Sequence, residues 1–290
     1  DKVDTWTLIH TFADDTAYSA TEATFEALLN AQTYGTPPFT LAQSWEDIPA
    51  FTGLLDDYPG AAAAYSLRLL DADYSGSAIN VRRASDSTAQ DIGFDANGDL
   101  DTSALATFCA GTDGFVVRWY DQSGNGNDAV QATTASQPKV YDSVTGVVLD
   151  NGKPAAQFDG SNDFLKNSNF ASLIGAPNFF SAAVSFDDTA NQYFIDSDSP
   201  GRSATGIISG NYSIRGLNGG TAATGQHLFS VAQYAASAEL FVDGVSKLTS
   251  ASSTLVTHTN LLIGDNALYF DGFYKELILY KKFRRLKALR

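Results

Sequence analysis

The amino-acid sequence predicts an all-β protein, with a β-sandwich from about residue 61 to residue 280. Two observations carry this prediction. About eleven short apolar segments alternate with turns rich in Gly, Asn, Asp and Ser over that range, a pattern typical of packed antiparallel sheets. The chain of 290 residues is also 44% hydrophobic, which is enough for one large core.

The first 60 residues are predicted to be a separate, partly helical segment. The run from Thr21 to Asn30 has helix-forming residues, with Phe25, Leu28 and Leu29 on one face. Four prolines between residues 33 and 60 interrupt every periodic pattern and predict a linker or a wrapping arm. The stretch AAAAYSLRLL that opens the sandwich at residues 61–70 fits either a helix or a strand.

Three of the Asp-Gly pairs in the sandwich region predict turns between strands. They lie at residues 159–160, 243–244 and 271–272. The pair at 243–244 divides AELFVDGVSKL into two alternating halves and predicts a hairpin with a type I′ turn. The sequence has no repeat of 20 to 50 residues, which argues against solenoids and propellers.

The charge of the chain excludes some partners and singles out its last residues. A formal net charge of −15 argues against nucleic acid as a partner. The sequence contains no run of about 18 apolar residues, so no membrane span is predicted. Cys109 is the one cysteine, so we expect it to be buried and unpaired within the chain. Residues 281–290 hold six of the 18 basic residues and are predicted to be a tail that docks on an acidic neighbour.

Several segments resemble known families. FDGSNDFL, FFSAAVSF and QHLFSVAQYAASAELFVDGV resemble, in the same order, laminin-G-like and concanavalin-like domains. AYSLRLLDADYSGSAINVRR, TFCAGTDGFVVRWYDQSGNGNDAVQ and LLIGDN look like the catalytic sandwich of family-54 α-L-arabinofuranosidases. The resemblance implies a jelly-roll sandwich and a sugar site in which two carboxylates flank the glycosidic bond.

The family's catalytic pair is matched only in part. The resemblance implies that Asp265 is the acid carboxylate. The segment that matches the family's nucleophile, residues 202–213, contains neither Glu nor Asp, which favours a chain that is not an enzyme. Hydrolysis would require another nucleophile, for which Asp163, Asp196 and Glu276 are the candidates.

A polar and aromatic segment, WYDQSGNGND, is the candidate ligand site. Aromatic rings stack on sugars, and amide and carboxyl groups bind hydroxyls. The predicted ligand-binding residues are Trp119, Tyr120, Asp121, Gln122, Asn125, Asn127 and Asn266. The alternative is a strand that enters a glycine-rich turn, with Trp119 buried and the Asn and Asp side chains bonded to their own backbone.

Two loops space oxygen ligands as calcium loops do, and calcium is the one cofactor considered. They are DADYSG and DANGDLD, with candidate ligands Asp71, Asp73, Asp95, Asn97 and Asp99. Position twelve of each loop is Arg82 or Ala106 in place of glutamate, so neither is an EF-hand. A looser calcium site and solvated Asx turns remain the alternatives.

The residues together favour a non-catalytic carbohydrate-binding or adhesive module of an extracellular assembly. YPGAAAAYSLRLL, YDQSGNGN and GKPAAQFDGS resemble modules of phage virion proteins, which implies a tail fibre, a spike or a capsid decoration. The expected partners are a cell-surface glycan and other subunits of a virion, in a homo-oligomer. The alternative function is a glycoside hydrolase that acts on α-L-arabinofuranosides.

Overall fold

The computed structural model describes residues 51–168, 178–197, 204–214, 217–233, 237–250, 260–264 and 268–281. The chain divides into two compact units, Asp1–Ala50 and Phe51–Arg290, and the first lies outside the described residues. The predicted helix at 21–30, most of the predicted arm and residues 282–290 of the basic tail also lie outside them. The predicted limits at residues 60 and 280 stay predictions.

Antiparallel strands make up most of the described chain. The strands are β1 (Ala63–Ser66), β2 (Ile79–Arg83), β3 (Ala89–Ile92), β4 (Gly114–Trp119), β5 (Ala129–Val130), β6 (Lys139–Asp142), β7 (Gly146–Val147), β8 (Leu149–Asp150), β9 (Lys153–Pro154), β10 (Ala156–Asp159), β11 (Leu165–Asn167), β12 (Asn178–Phe186), β13 (Gln192–Asp196), β14 (Thr205–Ile208), β15 (Asn211–Ile214), β16 (Leu217–Thr221), β17 (Gly225–Gln233), β18 (Ala238–Val242), β19 (Val245–Ser250), β20 (Leu261–Ile263) and β21 (Asp271–Tyr280). The described helices are α1 (Leu54–Asp57), α2 (Thr102–Phe108) and a 3-10 turn at Thr134–Ser136.

The strands pack as two layers. In the front sheet, β21 pairs along one edge with β1 and β10 and along the other with β12, and the order continues through β17, β18 and β19. The back sheet runs from β3 through β2, β4, β5, β11, β20, β13, β14 and β15 to β16. Strand β6 pairs with both β4 and β10 and joins the layers. The predicted all-β sandwich is confirmed.

An aromatic core lies between the sheets. Trp119 is fully buried, with its ring centroid 6.2 Å from that of Tyr65 and 6.1 Å from that of Tyr274. Phe194 and Phe229 approach to 4.6 Å. On the front sheet, alternate residues of β12 face this core, which is the period of two that a half-buried strand requires. Cys109 is buried and free, as expected.

The segment that opens the sandwich forms a strand and covers part of the front sheet. Within the AAAAYSLRLL stretch, Ala63–Ser66 form β1 and no residue is helical, so of the two alternatives the strand is confirmed. Leu55 and Leu70 pack with Ala64 and Ile278 on the outer face of this sheet. The Leu55 N–H donates to the Leu70 carbonyl oxygen at 2.7 Å. No helix among the described residues has the length and hydropathy that crossing a membrane requires.

Two of the three Asp-Gly pairs behave as predicted. Asp243 and Gly244 both have positive φ, 53° and 74°, and connect β18 to β19 as a type I′ turn. Gly160 has φ 70° and follows β10 directly. The turn predicted at residues 271–272 was wrong, because both residues lie within β21. A Cβ atom on Gly272 would lie 2.0 Å from the Ser185 carbonyl oxygen, so glycine is required there for close strand approach.

Candidate active site and outer cleft

The first part of the WYDQSGNGND segment is built into the core. Trp119 is fully buried and Gln122 is 1% exposed. The Gln122 side chain accepts the Leu70 N–H at 2.8 Å and donates to the carbonyl oxygens of Ser66 and Arg68, both at 3.0 Å. These bonds hold the main chain at the end of β1.

Asp121 binds main-chain groups with both carboxylate oxygens. Oδ1 accepts the N–H groups of Ala64 at 2.8 Å and Ser123 at 2.9 Å. Oδ2 accepts the Ser123 hydroxyl at 2.8 Å and the Asn127 N–H at 3.0 Å. The carboxylate therefore ties the glycine-rich turn to β1.

The remaining predicted ligand-binding side chains also bond within the chain. Asn125 Nδ2 donates to the Ala61 carbonyl oxygen at 3.0 Å, and Asn127 Nδ2 donates to that of Ala62 at 2.9 Å. The Tyr120 hydroxyl donates to Asp91 at 2.7 Å. These contacts match the alternative of a buried tryptophan followed by a self-bonded turn. Sugar binding by this segment stays a prediction, and Asn266 lies outside the described residues.

The two acidic loops are closed by Asx turns. Asp71 Oδ1 accepts the Asp73 N–H at 2.9 Å. Asp95 Oδ1 accepts the N–H groups of Asn97 at 2.8 Å and Asp99 at 3.0 Å. Within the described part of the chain, no cluster of three or more His, Cys, Asp or Glu residues is placed to hold a metal ion. Calcium binding stays a prediction.

Asp163 is a candidate carboxylate for hydrolysis that lies in a buried environment. The residue is 6% exposed and accepts the Asp159 N–H at 3.1 Å. Burial, reinforced by the negative charge of Asp159, raises the pKa of Asp163 to about 7, although the Asp159 N–H bond lowers it. Asp163 therefore holds its proton close to neutral pH.

Strand register relates Asp163 to the loop that carries Asp265. Strand β20 pairs with β11 through Leu165 opposite Ile263. Gly264, the last described residue before Asp265, packs on Asp163: a Cβ atom there would lie 3.0 Å from the Asp163 carbonyl oxygen. Asp265 itself lies outside the described residues.

The other two candidates lie elsewhere. Asp196 is 2% exposed and pairs opposite Leu262, the middle residue of β20 and three positions before Asp265. Glu276 belongs to the front sheet and faces outward, away from the core. Register therefore groups Asp163, and neither Asp196 nor Glu276, with the strand end that leads to Asp265.

A β-bulge gives the front sheet an outward-facing charged pair. Ala183 is opposite Glu276, but Val184 is opposite Tyr274, so Lys275 is the extra residue of the bulge. Tyr274 and Leu277 are fully buried, whereas the two residues between them are partly exposed. Bulges redirect side chains in this way and are frequent next to functional sites.

The bulge borders a cleft of about 360 Å³ on the outer face of the front sheet. Its lining combines charged, amide and apolar side chains from β1, β9, β12, β17, β21 and three loops: Ser66, Leu67, Arg68, Asp99, Asn151, Lys153, Pro154, Ala183, Gln226, Lys275 and Glu276. Sequence reasoning missed this cleft, apart from Glu276 and Asp99, which it considered in other roles. The available signal was the adjacent polar pair in YKELIL, which breaks the alternation of a strand.

The proteins that this chain is similar to are arabinofuranosidases. Residues 55–154 match the family model "Alpha-L-arabinofuranosidase B, catalytic". The chain is 37% identical over 122 residues to a probable α-L-arabinofuranosidase B of Aspergillus niger, which is 42% of this chain and 20% of that protein. It is 41% identical over 106 residues to α-L-arabinofuranosidase B of Emericella nidulans, 33% of this chain and 21% of that protein. The chain thus spans about a fifth of the length of these relatives.

Solved structures agree on the fold. A mutant GH54 α-L-arabinofuranosidase soaked with 4-nitrophenyl α-L-arabinofuranoside superimposes with a TM-score of 0.63 at 18% identity. An arabinofuranosidase complexed with arabinofuranosyl-α-1,2-xylobiose superimposes with a TM-score of 0.59, also at 18% identity. Each match covers 77% of this chain and 59% of the other.

These matches overturn the prediction of a non-catalytic adhesive module in a virion or another assembly of subunits. The matched family model describes a catalytic domain, and the curated relatives are arabinofuranosidases. The preference for a chain that is not an enzyme was wrong for the same reason. It depended on the missing carboxylate at residues 202–213, although a carboxylate can also be supplied from another strand.

Proposed function

We propose that this chain is a glycoside hydrolase that acts on α-L-arabinofuranosides outside the cell. The observation that carries the proposal is the match of residues 55–154 to the catalytic-domain model. The identity of 37% to an arabinofuranosidase over 122 residues supports it. Because the chain covers only a fifth of that relative, the activity is a proposal for this chain.

The proposed mechanism uses Asp163 and Asp265. A retaining glycosidase needs one protonated carboxyl group and one carboxylate. Asp163 suits the proton donor, because its pKa of about 7 keeps it protonated in mildly acidic solution. Asp265 is then the nucleophile, whereas the family resemblance implied that it is the acid.

The reaction balances in two steps. In the first, Asp163 gives its proton to the glycosidic oxygen, the bond to the leaving alcohol breaks, and the Asp265 carboxylate bonds to the anomeric carbon. In the second, the Asp163 carboxylate takes a proton from water, whose oxygen attacks the anomeric carbon and releases arabinose and the Asp265 carboxylate. No carboxylate from the β14–β15 hairpin is needed, and none exists at residues 204–213.

The test is hydrolysis of 4-nitrophenyl α-L-arabinofuranoside by the purified chain and three variants. We expect Asp163→Asn and Asp265→Asn each to lower kcat by roughly 10² to 10⁴-fold. Azide should restore turnover in Asp265→Asn by replacing the lost nucleophile. The matched control is Asp196→Asn, a buried carboxylate on the neighbouring strand, which should keep its activity.

The pH profile gives a second measurement. Activity should fall above about pH 7 as Asp163 loses its proton. The residual activity of Asp163→Asn should not show this fall. A wild-type chain without turnover would contradict the proposed function. Full activity in Asp163→Asn would contradict the assignment of the proton donor.

A further inference from the structure

The cleft on the front sheet is separate from Asp163, the described carboxylate of the proposed mechanism. None of its lining residues comes from the Asp159–Asp163 turn or from β20. Its volume of about 360 Å³ lies at the lower end of the range for small-molecule sites. The cleft therefore has room for a ligand that the hydrolytic residues do not account for.

The charges at the cleft are arranged as three ion pairs. Arg68 binds Glu276 with two hydrogen bonds, Nε to Oε2 at 2.9 Å and Nη2 to Oε1 at 3.2 Å. Lys275 binds Asp150 at 2.8 Å, and Lys153 binds Asp99 at 3.3 Å. Each cation already has its carboxylate, so a ligand with net charge would have to break a pair. The cleft favours a neutral ligand with many hydroxyl groups.

Two amide groups at the rim offer a donor and an acceptor. Asn151 Nδ2 donates to Gln226 Oε1 at 2.9 Å, and Lys275 Nζ donates to the same oxygen at 3.0 Å. Among the described residues, Gln226 Nε2 and Asn151 Oδ1 have no hydrogen-bond partner. Adjacent sugar hydroxyls both accept and donate, so they match this pair of groups.

Apolar surface lies beside the polar rim. Leu67, Pro154 and Ala183 contribute to the lining. The side chain of Ala183 is short and so occupies little of the cleft. Leu228 is opposite Ala183 in the β12–β17 pair and is 47% exposed. The C–H face of a sugar ring can pack on such surface while its hydroxyls reach the amides.

We propose that this cleft binds the neutral backbone of a glycan, away from the arabinofuranosyl group that is cleaved. The choice of glycan rests on the proposed function, whereas binding in the cleft is measured without hydrolysis. Failure of hydrolysis and failure of binding are therefore separate results.

The test is isothermal titration calorimetry of the full chain with xylohexaose, cellohexaose and α-1,5-arabinohexaose, and with the anionic hexagalacturonate. We expect at least one neutral hexasaccharide to bind and hexagalacturonate to bind more weakly. Arg68→Gln should weaken binding by about tenfold, because it leaves the Glu276 carboxylate at the cleft without its cation. Ala183→Phe should abolish binding by filling the cleft from the outer face of the sheet.

Arg118→Gln is the matched control. Arg118 is 46% exposed and binds Asp128 at 3.0 Å, whereas Arg68 is 50% exposed and binds Glu276 at 2.9 Å. The control should lose the same kind of surface ion pair and keep wild-type affinity. The proposal is overturned if no neutral hexasaccharide binds, if hexagalacturonate binds more tightly, or if Ala183→Phe binds as the wild type does. Thermal unfolding of each variant identifies loss of binding that is due to loss of fold.

Discussion

Asp121→Asn separates the structural role of the glycine-rich turn from a sugar-binding role. Asp121 is 4% exposed and accepts four hydrogen bonds, from three main-chain N–H groups and one hydroxyl. The asparagine side chain has nearly the same shape but replaces one acceptor oxygen with a donor NH₂ group. The substitution therefore changes hydrogen bonding with little change in packing.

The expected loss of stability follows from those four bonds. One orientation of the substituted amide keeps a carbonyl oxygen towards Ala64 and Ser123, and leaves the Asn127 N–H facing an amide donor. An unsatisfied buried group costs about 1–3 kcal/mol, and the retained bonds lose the strengthening that a charged acceptor gives. We expect the free energy of unfolding to fall by about 3 kcal/mol. For a chain of this size, Tm should fall by about 6–12 °C.

Urea unfolding and thermal scans measure this effect, with Asp128→Asn as the control. Asp128 accepts the Asp121 N–H at 3.0 Å and binds the exposed Arg118. Its asparagine variant keeps an oxygen for the N–H and loses a surface ion pair, which contributes about 0–1 kcal/mol. If Asp121→Asn is no less stable than Asp128→Asn but loses affinity for sugar, the turn is a ligand site and the structural reasoning is refuted.

Three further predictions concern buried groups. The folded chain holds a proton on Asp163 between about pH 4 and pH 7 that the unfolded chain has lost, so this group lowers stability as pH rises through that window. By pH 8 the loss in the free energy of unfolding reaches about 4 kcal/mol. In urea unfolding, Asp163→Asn should therefore be more stable relative to the wild type at pH 8 than at pH 4. Burial raises the pKa of Cys109 from 9.0 to about 11, so iodoacetamide should label the native chain at pH 8 at least about a hundredfold more slowly than the urea-unfolded chain. Gln122→Leu removes the bond to the Arg68 carbonyl oxygen, so it should displace Arg68 and weaken glycan binding in calorimetry. The control Gln137→Leu also loses a buried bond to the main chain, but it should lower Tm without changing glycan affinity.

Local sequence patterns predicted the strands but not how they pair. The alternation in AELFVDGVSKL sets both the strands and the turn of the β18–β19 hairpin, because all partners lie within a few residues. Strand β1 pairs with β21, more than 200 residues away, through Ala63 opposite Leu279. The four alanines at the start of this segment have no periodic pattern that favours a strand over a helix. The segment is a strand because it pairs with the distant β21.

The candidate sites could be predicted only where the chemistry is local. The amide and carboxyl groups of WYDQSGNGND fit sugar hydroxyls in composition, yet their partners are main-chain groups of β1 and its flanks some 50 to 65 residues earlier. The pKa of Asp163 is raised first by burial in the folded chain, where Gly264 from a hundred residues later packs on it, and only second by the nearby Asp159. Both properties depend on tertiary contacts.

The structure connects the segment that matches the arabinofuranosidase family to the cleft through β1. Gln122 and Asp121, within the matched range of residues 55–154, hold the main chain of β1 on both sides of Tyr65. Ser66 at the end of the same strand and Arg68 two residues later reach Glu276 on β21. The bulge at Lys275 permits this contact, because without the extra residue Lys275 and Glu276 would face opposite sides of the sheet. The buried turn thus fixes the main chain from which Arg68 reaches the cleft, because Gln122 bonds to the carbonyl oxygens of both Ser66 and Arg68.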